Sequence, residues 1–208
     1  MTLLAILALT IPLSAQTVLF NNFGPGNTYQ TDTTSAIAIG GSPDRGSAVS
    51  FTSPFSGYYT LNQIQFAGTF FAADPSAATS NGMNNLTVGL WVSSADLNSA
   101  TQLETWTLSL PTPPSPTPQV FTLTSATSNT PLIVPVFVPG LNYFITETVA
   151  LDGTSTAVWQ WQQNNLMPAQ AGYFSNINGG PWSAVADTTP VFSVSGDAIP
   201  TYTPDPTS

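Results

Sequence analysis

Residues 142–163 read NYFITETVALDGTSTAVWQWQQ. Two runs rich in β-branched and aromatic residues flank Asp152-Gly153, the dipeptide that most strongly marks a tight reversal between antiparallel strands. With that pair as the turn, Phe144 faces Trp161, Thr146 faces Trp159 and Thr148 faces Ala157 on one side of a two-stranded ribbon. Ile145, Glu147, Val149, Val158 and Gln160 take the other side. A four-residue loop, Asp152 to Ser155, slides the pairing by two and keeps these faces, whereas a three-residue loop exchanges partners across them. The expectation is an aromatic-faced hairpin around which an all-β chain is arranged.

Working outward, the rest of the chain has the same character. Leu86–Val92 (LTVGLWV) alternates, which sets Leu86, Val88, Leu90 and Val92 on one face and Thr87, Gly89 and Trp91 on the other. Thr17–Phe20, Ala36–Ile39, Ala48–Phe51, Tyr58–Phe66, Leu103–Leu110, Gln119–Leu123, Leu132–Val138, Gly172–Ser175 and Pro190–Ser195 read as further short strands. Turn-forming stretches separate them: NNFGPGNTY (Asn21–Tyr29), GGSPDRG (Gly40–Gly46), SPFSG (Ser53–Gly57) and a polar loop over Gln162–Gln170. Pro135 cannot donate within a ladder, so Leu132–Val138 reads as an edge strand, and PTPPSPTP (Pro111–Pro118) as an extended polyproline connection. No window holds a helical period for three turns. About twelve short strands with turns between them describe an all-β, two-sheet antiparallel β-sandwich of jelly-roll-like type. One domain over 16–198 is expected, followed by a tail, 199–208, without a core pattern.

Met1–Ala15 (MTLLAILALTIPLSA) is apolar, too short to span a bilayer, and closed by small residues, the form of a secretory signal peptide cleaved after Ala15. The usual basic n-region is missing, since no Lys or Arg precedes Leu3, so either the α-amino group serves alone or the start lies upstream. Read as structure, the run would instead be a hydrophobic core element. Secretion or display at the cell surface is the expectation, with no transmembrane segment in the mature chain. The chain has no cysteine, so disulfides and thiolate zinc sites are excluded and stability must come from burial. Ten acidic residues stand against Arg45 alone, for a net charge of -9, which leaves nothing to neutralise a nucleic acid or an anionic lipid surface. With 5% charged residues, the surface must be an uncharged polar skin of Ser, Thr, Asn, Gln and Gly.

Several landmarks taken together carry a resemblance: LFNNFGPGNTY (Leu19–Tyr29), AVSF (Ala48–Phe51), LTVGLWV, LETWTLSL, NYFI, and VWQW followed by GYFS (Gly172–Ser175). Their order resembles the choice-of-anchor R domain, a family of exported bacterial proteins that frequently end in a PEP-CTERM-type sorting signal. The resemblance implies an exported β-sandwich and assigns no activity. A sorting signal needs a Pro-Glu-Pro motif, a spanning apolar segment and a basic cluster, whereas this chain closes on TPDPTS. For this chain the implication is therefore release, or an anchor carried elsewhere.

The candidate ligand-binding residues are aromatic. Trp159 and Trp161, at i and i+2 with Phe144 opposite, would form a flat platform for sugar rings if exposed, or fill the core if not. Trp91 and Trp182, with Tyr58 and Tyr59, are rival platform positions. Glu104 and Glu147, the only glutamates, are the sole pair that could serve a glycosidase, which needs two flanking carboxyl groups about 5 to 10 Å apart. The ordinary reading sets each on a solvated sheet face. Without His, Lys or Cys there is no triad, imidazole base or Schiff-base lysine, so no catalytic residue is assigned. Asp32, Asp44, Asp152, Asp187 and Asp197 fall near turns, where they cap backbone amides; a structural calcium ion is the sharper alternative, although no EF-hand spacing occurs. Asn85-Leu86-Thr87 matches a glycosylation sequon by chance in a bacterial-looking chain. The expected function is a non-catalytic secreted module, structural or adhesive at the cell envelope or in extracellular matrix. A carbohydrate-binding domain for neutral glycans is the first alternative, and a glycan-active hydrolase the second. No cofactor beyond that calcium is expected.

Overall fold

The computed structural model describes residues 16–38, 45–53, 56–72, 86–108, 117–129, 134–149, 157–164, 172–177, 179–186 and 189–200. In chain order the strands are β1 (Thr17–Asn21), β2 (Gln30–Ala38), β3 (Arg45–Thr52), β4 (Tyr59–Ala72), β5 (Leu86–Ser93), β6 (Thr101–Leu108), β7 (Gln119–Leu123), β8 (Val136–Phe137), β9 (Asn142–Val149), β10 (Ala157–Asn164), β11 (Gly172–Ile177), β12 (Ser183–Ala184), β13 (Thr189–Pro190) and β14 (Phe192–Ala198). They form two antiparallel sheets, as an all-β sandwich requires. The first has eight strands built along β4: β14 and then β10 pair with one edge of it, β8 and β7 with the other, β1 extends beyond β14, and β2 and β13 pair with β10. The second runs β12-β11-β3-β9-β5-β6.

The central hairpin is not there. β9 lies between β3 and β5 in the second sheet, and β10 between β4 and β2 in the first, so the two runs around Asp152-Gly153 never pair. Phe144 stands opposite Ser50 and Trp91, and Trp161 opposite Gly68 and Ser35. The dipeptide itself lies outside the described residues. The physical reason is that a reversal signal asks only that the chain turn back, and an arch between layers meets it as well as a ribbon does. A lone ribbon satisfies one edge of each strand, whereas these ladders satisfy both edges of β9 along most of its length.

Alternation is otherwise obeyed. On β5, Leu86, Val88 and Leu90 are sealed in the core. On β9, Tyr143 and Ile145 point into it, and on β4, Ile64 and Phe66 do so from the opposing layer. Phe51 of β3 meets Phe192 of β14 at 5.8 Å between ring centroids, and Phe20 of β1 stacks on Phe192 at 4.3 Å, so aromatic contacts tie the layers together. Each such side chain contributes about 1.5–3 kcal/mol of burial free energy. β8 is an edge element paired only with β4, as Pro135 requires, and the Pro135 carbonyl still accepts from Leu61 N. The turn after β1 uses Gly26 and Asn27 at positive φ, 71° and 59°, residues that tolerate the left-handed region. Phe23 then packs with Ala67 and Val191 on the outer side of the first sheet.

Two of the aspartates expected at turns are strand residues instead. Asp32 lies in β2, and Asp197 in β14 accepts from Asn62 Nδ2 at 3.0 Å. Asp44, Asp152 and Asp187 lie outside the described residues, as do Met1–Ala15 and Pro111–Pro116. The capping aspartate is Asp96, whose carboxylate accepts from Ser99 N at 3.0 Å at the start of the short 3-10 helix Leu97–Ser99.

Candidate binding face

Both glutamates point inward. In register, Glu147 stands beside Ser47 and Val88, and Glu104 beside Leu90, all on the core side of the second sheet. Each is at most 1% exposed. A solvated sheet face, expected for both, is therefore corrected: alternation carries Glu147 with Tyr143 and Ile145, and Glu104 with Trp106, and those apolar neighbours decide which side is buried. Glu104 Oε2 accepts from Ser125 Oγ at 3.1 Å while its Oε1 has no partner. Glu147 Oε1 has none either. Burial raises the Glu147 carboxyl well above its ordinary value; it also raises that of Glu104, with the Ser125 hydroxyl pulling the other way. Two strand spacings and one two-residue step set the two Cα atoms about 12 Å apart, with Val88 and Leu90 between them. Both carboxyl groups lie on the core side of the sheet among packed side chains.

The tryptophans divide between layers. Trp161 is fully buried, donates from Nε1 to the Val191 carbonyl at 2.8 Å and meets Phe66 edge-on at 5.9 Å. It is a core residue and leaves the proposed platform, because β10 turns this face toward the opposing sheet. Trp159 shares that strand, in register with Phe70 and Ile37, and its side chain is outside the described residues.

Trp91 and Trp182 come together on the outer face of the second sheet. The Trp91 indole lies across Gly89: a Cβ there would be 2.5 Å from Nε1, and that N–H donates to Thr146 Oγ1 at 2.9 Å on the neighbouring strand. Trp182 lies across Gly46 in the same way, where a Cβ would be 2.8 Å from Cη2 of the ring. Its backbone is gripped twice by Asn98, which accepts from Trp182 N at 2.8 Å and donates to Trp182 O at 3.1 Å. Phe174 lies across Gly172, where a Cβ would be 3.0 Å from the ring, and it meets Phe144 edge-on at 5.9 Å. Ala48, Leu97 and Phe144 form the buried floor; Trp91, Phe174 and Trp182 are half-buried around it. The Trp91 indole donor is already spent on Thr146, so what that ring offers a ligand is its apolar surface.

A second grouping falls where a polar loop was expected to begin. Gln162, Gln163 and Asn164 belong to β10 and are buried. Asn22 Nδ2 donates to Pro190 O at 2.9 Å, Asn22 Oδ1 accepts from Phe192 N at 2.7 Å, and Asn164 Nδ2 donates to Asn22 O at 3.1 Å. Gln162 Nε2 donates to Thr69 Oγ1. This amide cluster ties the end of β1 to the β13–β14 junction. Among the described residues no group of His, Cys, Asp and Glu is placed to hold a metal ion. Comparison with family models, with curated proteins and with solved structures finds no match to this chain.

Proposed function

We infer that this chain is an exported, non-catalytic β-sandwich module with a structural or adhesive role at the cell envelope or in extracellular matrix. One observation carries the reading: the only two glutamates of a chain without His, Lys or Cys are sealed on the core side of one sheet. Acid–base work needs groups that reach the reacting atoms, and these two are at most 1% exposed, with Glu104 bound by Ser125 and Glu147 beside Ser47 and Val88. The resemblance to the choice-of-anchor R domain points the same way. The discriminating experiment incubates the purified chain with neutral polysaccharides and chromogenic glycosides and measures released reducing ends or chromophore. No turnover above a boiled control is expected. Turnover abolished by Glu104→Gln or Glu147→Gln would replace this reading with the hydrolase.

A second reading, binding of neutral glycans, is favoured by a specific observation: Trp91 and Trp182, far apart in sequence, share one outer face with Phe174. An acidic molecule whose only cation is Arg45 repels anionic polymers but not uncharged ones.

A further inference from the structure

We propose that the outer face of the second sheet is a stacking surface for an uncharged polysaccharide, and that Gly46 and Gly89 are seats holding the Trp182 and Trp91 rings flat against the sheet. The proposal rests on the glycan reading and adds its site, its positioning residues and the length of its ligand.

A glycine inside a strand costs roughly 0.5–1 kcal/mol against alanine and packs nothing of its own. Here three strand glycines, Gly46, Gly89 and Gly172, each have an aromatic ring of the same face within 3.0 Å of where a Cβ would stand, beside a polar side-chain atom as close or nearly so: Asn176 Oδ1, Thr146 Oγ1 and Ser50 Oγ. A side chain at any of the three would crowd the ring together with that polar atom. With the Trp91 N–H bound to Thr146 and the Trp182 backbone bracketed by Asn98, both rings are fixed before any ligand arrives, which lowers the entropy lost on binding. Unlike Ala48, Leu97 and Phe144 beside them, the three rings are not fully sealed: they are mostly buried, with aromatic surface left for a ligand. Sugar rings present C–H faces that pack on such a surface without any charge, and the side chains that form it are uncharged: Ala48, Trp91, Leu97, Phe144, Phe174 and Trp182. Gly46 and Gly89 are two strand spacings and one two-residue step apart, about 12 Å. A ligand touching both rings is therefore longer than one sugar unit, and the Leu97 turn closes the floor between them.

Two measurements on the full chain separate the parts. The first is a double-mutant cycle on stability: Gly46→Ala costs less in the Trp182→Ala background than in the parent, and Gly89→Ala less in the Trp91→Ala background, the part that persists belonging to crowding against Asn176 Oδ1 and Thr146 Oγ1. Additive effects would overturn the seats. The second is binding to cellulose, chitin, mannan, starch and a β-1,3-glucan, with their oligosaccharides, at low and high salt and with and without calcium. At least one polymer is expected to bind with little salt dependence, longer oligomers better than monosaccharides. Trp91→Ala and Trp182→Ala should each weaken it by about tenfold or more, the loss of a stacking anchor. The glycine variants, with both tryptophans kept, should weaken it similarly. Binding that ignores all four substitutions overturns this site while leaving the glycan reading intact; binding to none of the polymers overturns both.

Discussion

Glu147 is the residue whose environment departs furthest from its chemistry. Its neighbours in register are Ser47 and Val88, Arg45 stands two residues before Ser47 on β3, and no described group donates to its Oε1. Because the folded carboxyl titrates well above its unfolded value, the folded state keeps the proton after the unfolded chain has released it. The sign follows: nothing is lost below the unfolded value, and stability falls by about 1.4 kcal/mol per pH unit above it until the folded carboxyl ionises. Urea midpoints measured from about pH 4 to pH 7 should therefore decline in the parent, and Glu147→Gln should flatten most of that decline, the remainder belonging to Glu104. Stability that rises over this window would mean an ionised, paired Glu147. The alternation that puts Glu147 with Ile145 was legible in the sequence. Which side of β9 faces inward was not, because Phe144 on one face and Tyr143 on the other are equally suited to a core, and only the second sheet's neighbours decide.

At the scale of elements, strands with their own alternation were legible: β5 and β7 match the expected positions closely, and Pro135 made β8 an edge. The Asp152-Gly153 hairpin was not legible, because a turn dipeptide reports on the turn, while ladders are chosen among distant partners whose combined burial outweighs one local signal. The Asn22 cluster escaped for a related reason: its amides are loop-like in composition and act as strand ends only once β13 lies beside β10. Asn22→Ala removes two buried hydrogen bonds and leaves Phe192 N unpaired, which should lower stability by about 2–4 kcal/mol in denaturant titration. A loss under about half a kcal/mol would show that the cluster does not hold β14 in place. The ring seats did leave a trace, glycine two residues before an aromatic in Gly89-Leu90-Trp91 and Gly172-Tyr173-Phe174, whereas the Gly46–Trp182 pair needed the fold to bring it together.

For the whole molecule, composition excluded more than it assigned: without cysteine, histidine or lysine, thiolate metal sites, an imidazole base and a phosphate-loop lysine were out of reach before any fold was known. Cleavage after Ala15 would leave every described strand whole, since β1 opens at Thr17. Amino-terminal sequencing of protein recovered from outside the producing cell should begin at Gln16, and material beginning at Met1 would withdraw the export argument. The position of β14 adds a constraint in time. It lies between β1 and β4, and Phe192 completes the aromatic contacts with Phe20 and Phe51, yet it is the last described strand of the chain. The first sheet thus has a gap in its middle until residue 198 is available, and pairing across nearly the whole sequence is slow to form. A chain emerging from a ribosome therefore leaves this sheet unclosed until residue 198 is through, and β14, the last of the described strands, is the one that brings β1 to β4.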